Sequence, residues 1–196
     1  MKVTEIFPSV QGEGKFAGHP MTFVRLSGCN RSCPWCDTKY HTEGKEMSVF
    51  EIRDRVNEFG MDTVCWTGGE PLVQYKELAR ALTFLPDLQH HIETNGDLLT
   101  VESLSRFHWV TVSPKTVEVA KRVYELCGER VDIKVVTDLD TVGKELVQYA
   151  TCLMPLTTYT DKDLDIQQRV WQYCTDNHIR YSPRLQISVW GQKKGI

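Results

Sequence analysis

Short apolar runs alternate along this chain with stretches whose apolar residues recur every three or four positions. The runs TFVRL (22–26), TVCW (63–66), HHIET (90–94), WVTVS (109–113), VDIKVV (131–136) and TCLM (151–154) read as strands. Between them lie helical stripes. Val49, Ile52, Val56 and Phe59 share one face, opened by the capping-box pair Ser48 and Glu51 and closed by Gly60. Tyr75, Leu78, Leu82 and Leu85 mark a second helix, and the pattern predicts others near 117–126, 140–149 and 163–177. Strands alternating with helices imply parallel pairing through right-handed crossovers. Six such units suit an open doubly wound sheet or an incomplete barrel, and are too few for a closed eightfold one.

Composition narrows the class. The 196 residues, 41% hydrophobic and 25% charged, match one domain spanning 1–196 with a substantial core. No apolar run reaches membrane-spanning length, and MKVTEIFPSVQGEG lacks the apolar centre of a signal peptide, which predicts a cytoplasmic protein. Thiols stay reduced there, so clustered cysteines point to metal before disulfide. A net charge of −3 with scattered Lys and Arg offers no basic face for nucleic acid, which favours a small-molecule substrate.

Candidate chemistry gathers where the predicted strands end. GCNRSCPWC, TGGEP, TNG, SPK and MPLT each follow one, at the carboxyl edge where α/β folds bind ligands. Cys29, Cys33 and Cys36 form C-x3-C-x2-C. With His41 they make a closed Cys3His zinc site. Holding a [4Fe–4S] cluster instead, the same three thiolates leave one iron open for a reacting ligand. TGGEP (67–71) is either a plain turn or a backbone approach to ligand, with Glu70 placed to receive an ammonium group. SVQGEGKFAG (9–18) is either a solvated turn or a loop offering Gln11 and Glu13 to a ligand. Arg25, a charge inside an apolar strand, pairs with a core carboxylate or clamps a substrate carboxylate. Cys65, Cys127, Cys152 and Cys174, and His90, His91 and His108, read as structural.

The cysteine loop, with Trp35 before its last thiol, resembles the signature of the radical S-adenosylmethionine superfamily. QGEG, FVRLSGC, WCDT, TGGEP, TVSPK and the terminal WGQKKGI together resemble one family within it, 7-carboxy-7-deazaguanine synthase. The resemblance implies a small, incomplete (β/α)6 barrel, a homodimer, and an electron donor of flavodoxin or ferredoxin type. It also implies a reaction, contraction of 6-carboxy-5,6,7,8-tetrahydropterin to 7-carboxy-7-deazaguanine with loss of ammonia, on the route to 7-deazapurines such as queuosine. Cys29, Cys33 and Cys36 then hold the [4Fe–4S] cluster. Trp35, Cys36, Asp37, Gly69, Glu70, Ser113, Pro114, Lys115 and Met154, Pro155, Leu156 and Thr157 receive S-adenosylmethionine. Val10, Gln11, Gly12, Glu13, Arg25 and Thr67 face the pterin, and Thr38 is the Mg²⁺ ligand. One departure is Gln186, where members of the family often carry His. The rival readings are a glycyl-radical activase, which shares the cysteine spacing but needs no pterin pocket, and a zinc-stabilised binding module.

Overall fold

The computed structural model describes residues 1–34, 36, 42–126 and 128–193. Trp35, Asp37, Thr38, His41 and Cys127, and the last three residues of the WGQKKGI tail, lie outside them. One nine-stranded sheet organises the fold, in the order β3-β1-β2-β4-β5-β6-β7-β8-β9. From β2 (Pro20–Leu26) through β4 (Thr63–Gly68), β5 (Gln89–Thr94), β6 (Trp109–Val112), β7 (Val131–Thr137), β8 (Cys152–Pro155) and β9 (Arg180–Tyr181) every pairing is parallel. Among the described residues the two edge strands do not pair with each other, so the sheet is not a closed barrel, as an incomplete barrel requires.

Three strands were not legible in the apolar runs, the two-residue β9 among them. β1 (Lys2–Val10) pairs antiparallel with β2, and β3 (Lys45–Glu46) pairs antiparallel with β1. β1 fully buries one side chain, Val3, and contains Pro8, so it lacks the alternation that marks a half-buried strand. It is held by its neighbour β2, across which Glu5 faces Arg25.

The helices are α1 (Val49–Asn57), α2 (Tyr75–Leu82), α3 (Val101–Ser105), α4 (Val117–Leu126), α5 (Asp163–Asn177) and α6 (Leu185–Trp190). Ser48 and Glu51 cap α1 reciprocally, Glu51 N donating to Ser48 Oγ at 3.2 Å and Ser48 N to Glu51 Oε2 at 2.8 Å. The segment near 140–149 corrects the expectation: it is a 3-10 stretch, Lys144–Tyr149. Asp138 Oδ1 captures the amides of Asp140, Thr141 and Val142, and Gly143 at φ 69° turns the chain before any α-helical turn can form.

Strand alternation divides the sheet into two faces. Val24, Val64, Trp66, Ile92, Val110, Ile133 and Leu153 pack with Ile52, Leu78, Ala81 and Val123 of the helices in one core. The residues between them, Arg25, Thr67, Glu93, Thr111 and Lys134, point to the other face, and that face is polar. Register then carries chemistry: shifting a strand by one residue would exchange core for site.

Candidate active site

A cavity of about 1320 Å³ opens on the polar face at the carboxyl edge of the sheet. Loops following β2, β4, β5, β6 and β8 line it, through residues that include Cys29, Gly69, Asn95, Ser113 and Thr157. Several of the predicted residues meet there. Cys33, Cys36, Glu13, Thr67, Lys115, Met154 and Leu156 also line it. Gln11 is buried beneath it, and Gly12, Arg25, Glu70, Pro114 and Pro155 are not among the residues that line it. Val10 is exposed.

The three cysteines are half-buried and none is in a disulfide. Arg31 N donates to Cys29 Sγ at 3.4 Å, and Cys36 N to Cys33 O at 3.2 Å, so the loop folds back on itself. A bidentate ion pair anchors the loop: Arg31 Nε lies 2.5 Å from Asp97 Oδ2, and its second nitrogen 2.7 Å from Oδ1. Asn30 joins the same carboxylate at 2.7 Å and accepts from Asn95 at 2.8 Å. The Arg31 hydrogen bond holds Asp97 below the usual carboxylate range and raises Arg31, with Cys33 and Cys29 adding to the latter. Among the described residues no three His, Cys, Asp or Glu side chains gather around a point that fits one ion. The donor set suits a cluster, which keeps each thiolate on its own iron.

The glycines of TGGEP have a reason the sequence did not show. A Cβ on Gly69 would lie 2.1 Å from Gly28 O, and one on Gly68 2.1 Å from Leu26 O. β4 and the cysteine loop press together backbone to backbone, with Glu70 N donating to Gly28 O at 2.9 Å. Glu70 is 0% exposed and does not line the cavity. Its carboxylate accepts from Leu72 N at 3.0 Å, Thr94 Oγ1 at 2.7 Å and Asn95 N at 2.7 Å, and burial raises its pKa. Three protein donors thus surround a group expected to meet an ammonium, so Glu70 ties the loops after β4 and β5 together.

Arg25 Nε lies 2.7 Å from Glu5 Oε1, the protein-carboxylate branch of its expectation, and register puts Arg25 beside Thr67. The floor holds charges that sequence reasoning did not assign. Lys134 Nζ lies 2.6 Å from Glu13 Oε2 and 2.9 Å from Glu93 Oε2. Burial works against the Glu13 anion, but Lys134 and Arg184 outweigh it and hold the carboxyl at about 2. Burial dominates at Glu93 and raises it, while Glu13 and Glu93 overcome burial at Lys134 and raise its ammonium. Glu93 in HHIET and Lys134 in VDIKVV carried the signal that drew attention to Arg25, a charge inside an apolar strand.

The loop that delivers Glu13 is wedged under the sheet. Phe16 packs on His91 with centroids 4.5 Å apart and on Trp109 at 5.2 Å, and Lys15 lies 4.0 Å over the Trp109 ring. The tail closes the loop from the other side, Gly14 N donating to Ser182 Oγ at 2.8 Å and Leu185 N to Gly12 O at 3.0 Å. Gln186 Nε2 donates to Glu13 Oε1 at 2.7 Å. His90, expected to be structural, accepts from Trp66 Nε1 at 3.2 Å and lies 3.0 Å from Leu85 O. Cys65, Cys152 and Cys174 are buried.

An unclosed parallel sheet with three cysteines on the loop after its first parallel strand is the radical SAM arrangement, and the Radical SAM superfamily model matches residues 23–163. The chain is 32% identical to the 7-carboxy-7-deazaguanine synthase of Pyrobaculum aerophilum, over 100% of this chain and 97% of the relative. It is 33% identical to that of Hyperthermus butylicus over 96% and 92%, and 50% identical to that of Thermoplasma acidophilum over 50% and 48%. Among solved structures, QueE from Escherichia coli superposes with a TM-score of 0.70 at 26% identity, covering 92% of each chain. The chain belongs to the 7-carboxy-7-deazaguanine synthase family.

Proposed function

We propose that the protein converts 6-carboxy-5,6,7,8-tetrahydropterin to 7-carboxy-7-deazaguanine with release of ammonia, as a lyase of 7-deazapurine synthesis. The observation that carries this reading is one cavity lined both by the three-thiol loop and by the carboxylate-rich floor. Cys29, Cys33 and Cys36 would hold a [4Fe–4S] cluster: they line a common space, with a backbone donor on one sulfur and a guanidinium beside the loop. When bound, the cluster supplies the electron that cleaves S-adenosylmethionine, and with it the radical that starts the rearrangement.

The chain's own residues bind, orient and exclude water. Gly69, Ser113, Lys115, Met154, Leu156 and Thr157 offer backbone and side-chain groups to S-adenosylmethionine, while Pro114 and Pro155 set the course of two of those loops. Glu70 supports this seat from behind rather than touching it. Glu13 and Thr67 face the pterin, Gln11 and Gly12 fix the Glu13 loop, and Val10 leads into it. Arg25, paired with Glu5 beside Thr67, matches the substrate carboxylate in charge and shape, and meeting it requires the guanidinium to be shared between Glu5 and the substrate. The roles assigned to Trp35, Asp37 and Thr38, the last with Mg²⁺, fall outside the described residues.

We propose further that residues 1–196 act as one domain, as a homodimer in the cytoplasm, fed by a flavodoxin- or ferredoxin-type donor. Among the described residues no helix is long and apolar enough to cross a membrane. Anaerobic purification tests the cluster: brown protein with about four iron and four sulfide per chain is expected, and stoichiometric zinc without iron would sink it. Incubation with S-adenosylmethionine, reductant, Mg²⁺ and the carboxy-tetrahydropterin tests the reaction. Formation of 5′-deoxyadenosine without 7-carboxy-7-deazaguanine would retain the radical chemistry and reject the substrate.

A further inference from the structure

Lys134 brings a cation to the cavity floor from the middle of β7, where it is 3% exposed. Its two carboxylate partners come from the loop after β1 and from β5, so three distant segments converge on one ammonium. The outer oxygens of those carboxylates are held too. Glu13 Oε1 accepts from Gln186 at 2.7 Å and from Arg184 at 3.4 Å, and Glu93 Oε1 from Gln11 at 3.4 Å. Glu13, Glu93, Lys134 and Arg184 all line the cavity, and their charges cancel. Buried ion pairs seldom stabilise a fold more than apolar residues of the same volume. A balanced set of charges on the floor of a cavity therefore calls for a role in what enters it.

We propose that Lys134 is a positioning residue, holding Glu13 and Glu93 as a fixed pair of hydrogen-bond acceptors for the N–H-bearing edge of the pterin. The proposal rests on the pterin reading above. A tetrahydropterin carries an amino group and several ring N–H donors, and a carboxylate accepts two such donors side by side. Two carboxylates in one poorly solvated floor repel, and without a cation one takes a proton and loses an acceptor. When Lys134 is lost, Glu13 keeps Arg184 and Gln186, so the consequence falls on Glu93.

The test is steady-state kinetics on anaerobically reconstituted protein carrying Lys134→Met, Lys134→Arg, Glu93→Gln, or Lys134→Met with Glu93→Gln. Lys134→Met should raise KM for the carboxy-tetrahydropterin about tenfold or more while changing kcat less than about threefold. Lys134→Arg should recover most of that KM. In the Glu93→Gln background, Lys134→Met should raise KM less than about threefold further. A Lys134→Met enzyme with wild-type KM, or one that loses kcat alone, overturns the proposal. If Lys134→Met does not fold, the double variant decides, because it loses one charge of each sign. A KM near that of Glu93→Gln supports the role, and one about tenfold worse overturns it. Wild-type protein that cleaves S-adenosylmethionine but leaves the pterin unconverted sinks the substrate reading itself.

Discussion

Glu70 and His91 are buried polar groups whose neighbours decide what they do. The Glu70 carboxylate takes three donors and offers nothing to the cavity. Replacing it with Gln sets an amide N–H2 against those donors, at a cost of about 2 kcal/mol in unfolding free energy by urea titration. His91, packed at a tilt against Phe16, is pushed by burial and then by His108 down to about 4. The unfolded chain therefore binds that proton first, and stability falls as pH drops from about 6.5 to about 4. Glu13, held at about 2, adds a loss of the same sign below about 4.5. Thermal melts should show the midpoint falling through this range, and His91→Gln should flatten the upper part by roughly 2 kcal/mol, allowing for partial screening. Residue type alone showed that Arg25, a charge inside an apolar strand, needed a partner; it did not show which, because Glu5 is contributed by another strand.

At the scale of elements, legibility followed how local the determining interaction is. Helix α1 was readable because its cap, apolar face and terminating Gly60 all lie within thirteen residues of chain, 48–60. The stretch near 140–149 misled because Asp138, outside the apolar pattern, diverts the amides that a helix would use. Helix α2 buries Leu78, Ala81 and Leu82 against the sheet, and Leu78→Ala should cost about 3 kcal/mol in a denaturant titration. The cysteine loop is a different sort of element, fastened by backbone contact at Gly28 and by the ion pair of Arg31 with Asp97. Asp97→Ala should leave the melting midpoint within a few degrees while speeding iron loss to a chelator severalfold. Equal rates of loss in the two proteins would show that the ion pair does not hold the loop.

For the whole molecule, the decisive arrangement is two chemistries in one cavity, thiols on one wall and a charged floor beside them. Cys33→Ala should abolish 5′-deoxyadenosine and 7-carboxy-7-deazaguanine together, read by chromatography of the same reaction; survival of either product would refute the thiol assignment. The sequence by itself determined the alternation of strands and helices, the three-thiol spacing and the family motifs, because each is written within a short window of chain. Tertiary structure decided the rest: that the sheet stays open, that Gly68 and Gly69 let backbone meet backbone at Leu26 and Gly28, and that Lys134 stands between Glu13 and Glu93. The separation from Glu13 to Lys134 is 121 residues, and from Lys134 to Glu93 it is 41. No local pattern encodes which charges meet across such distances; strand order and register do, and those exist only once the sheet has formed.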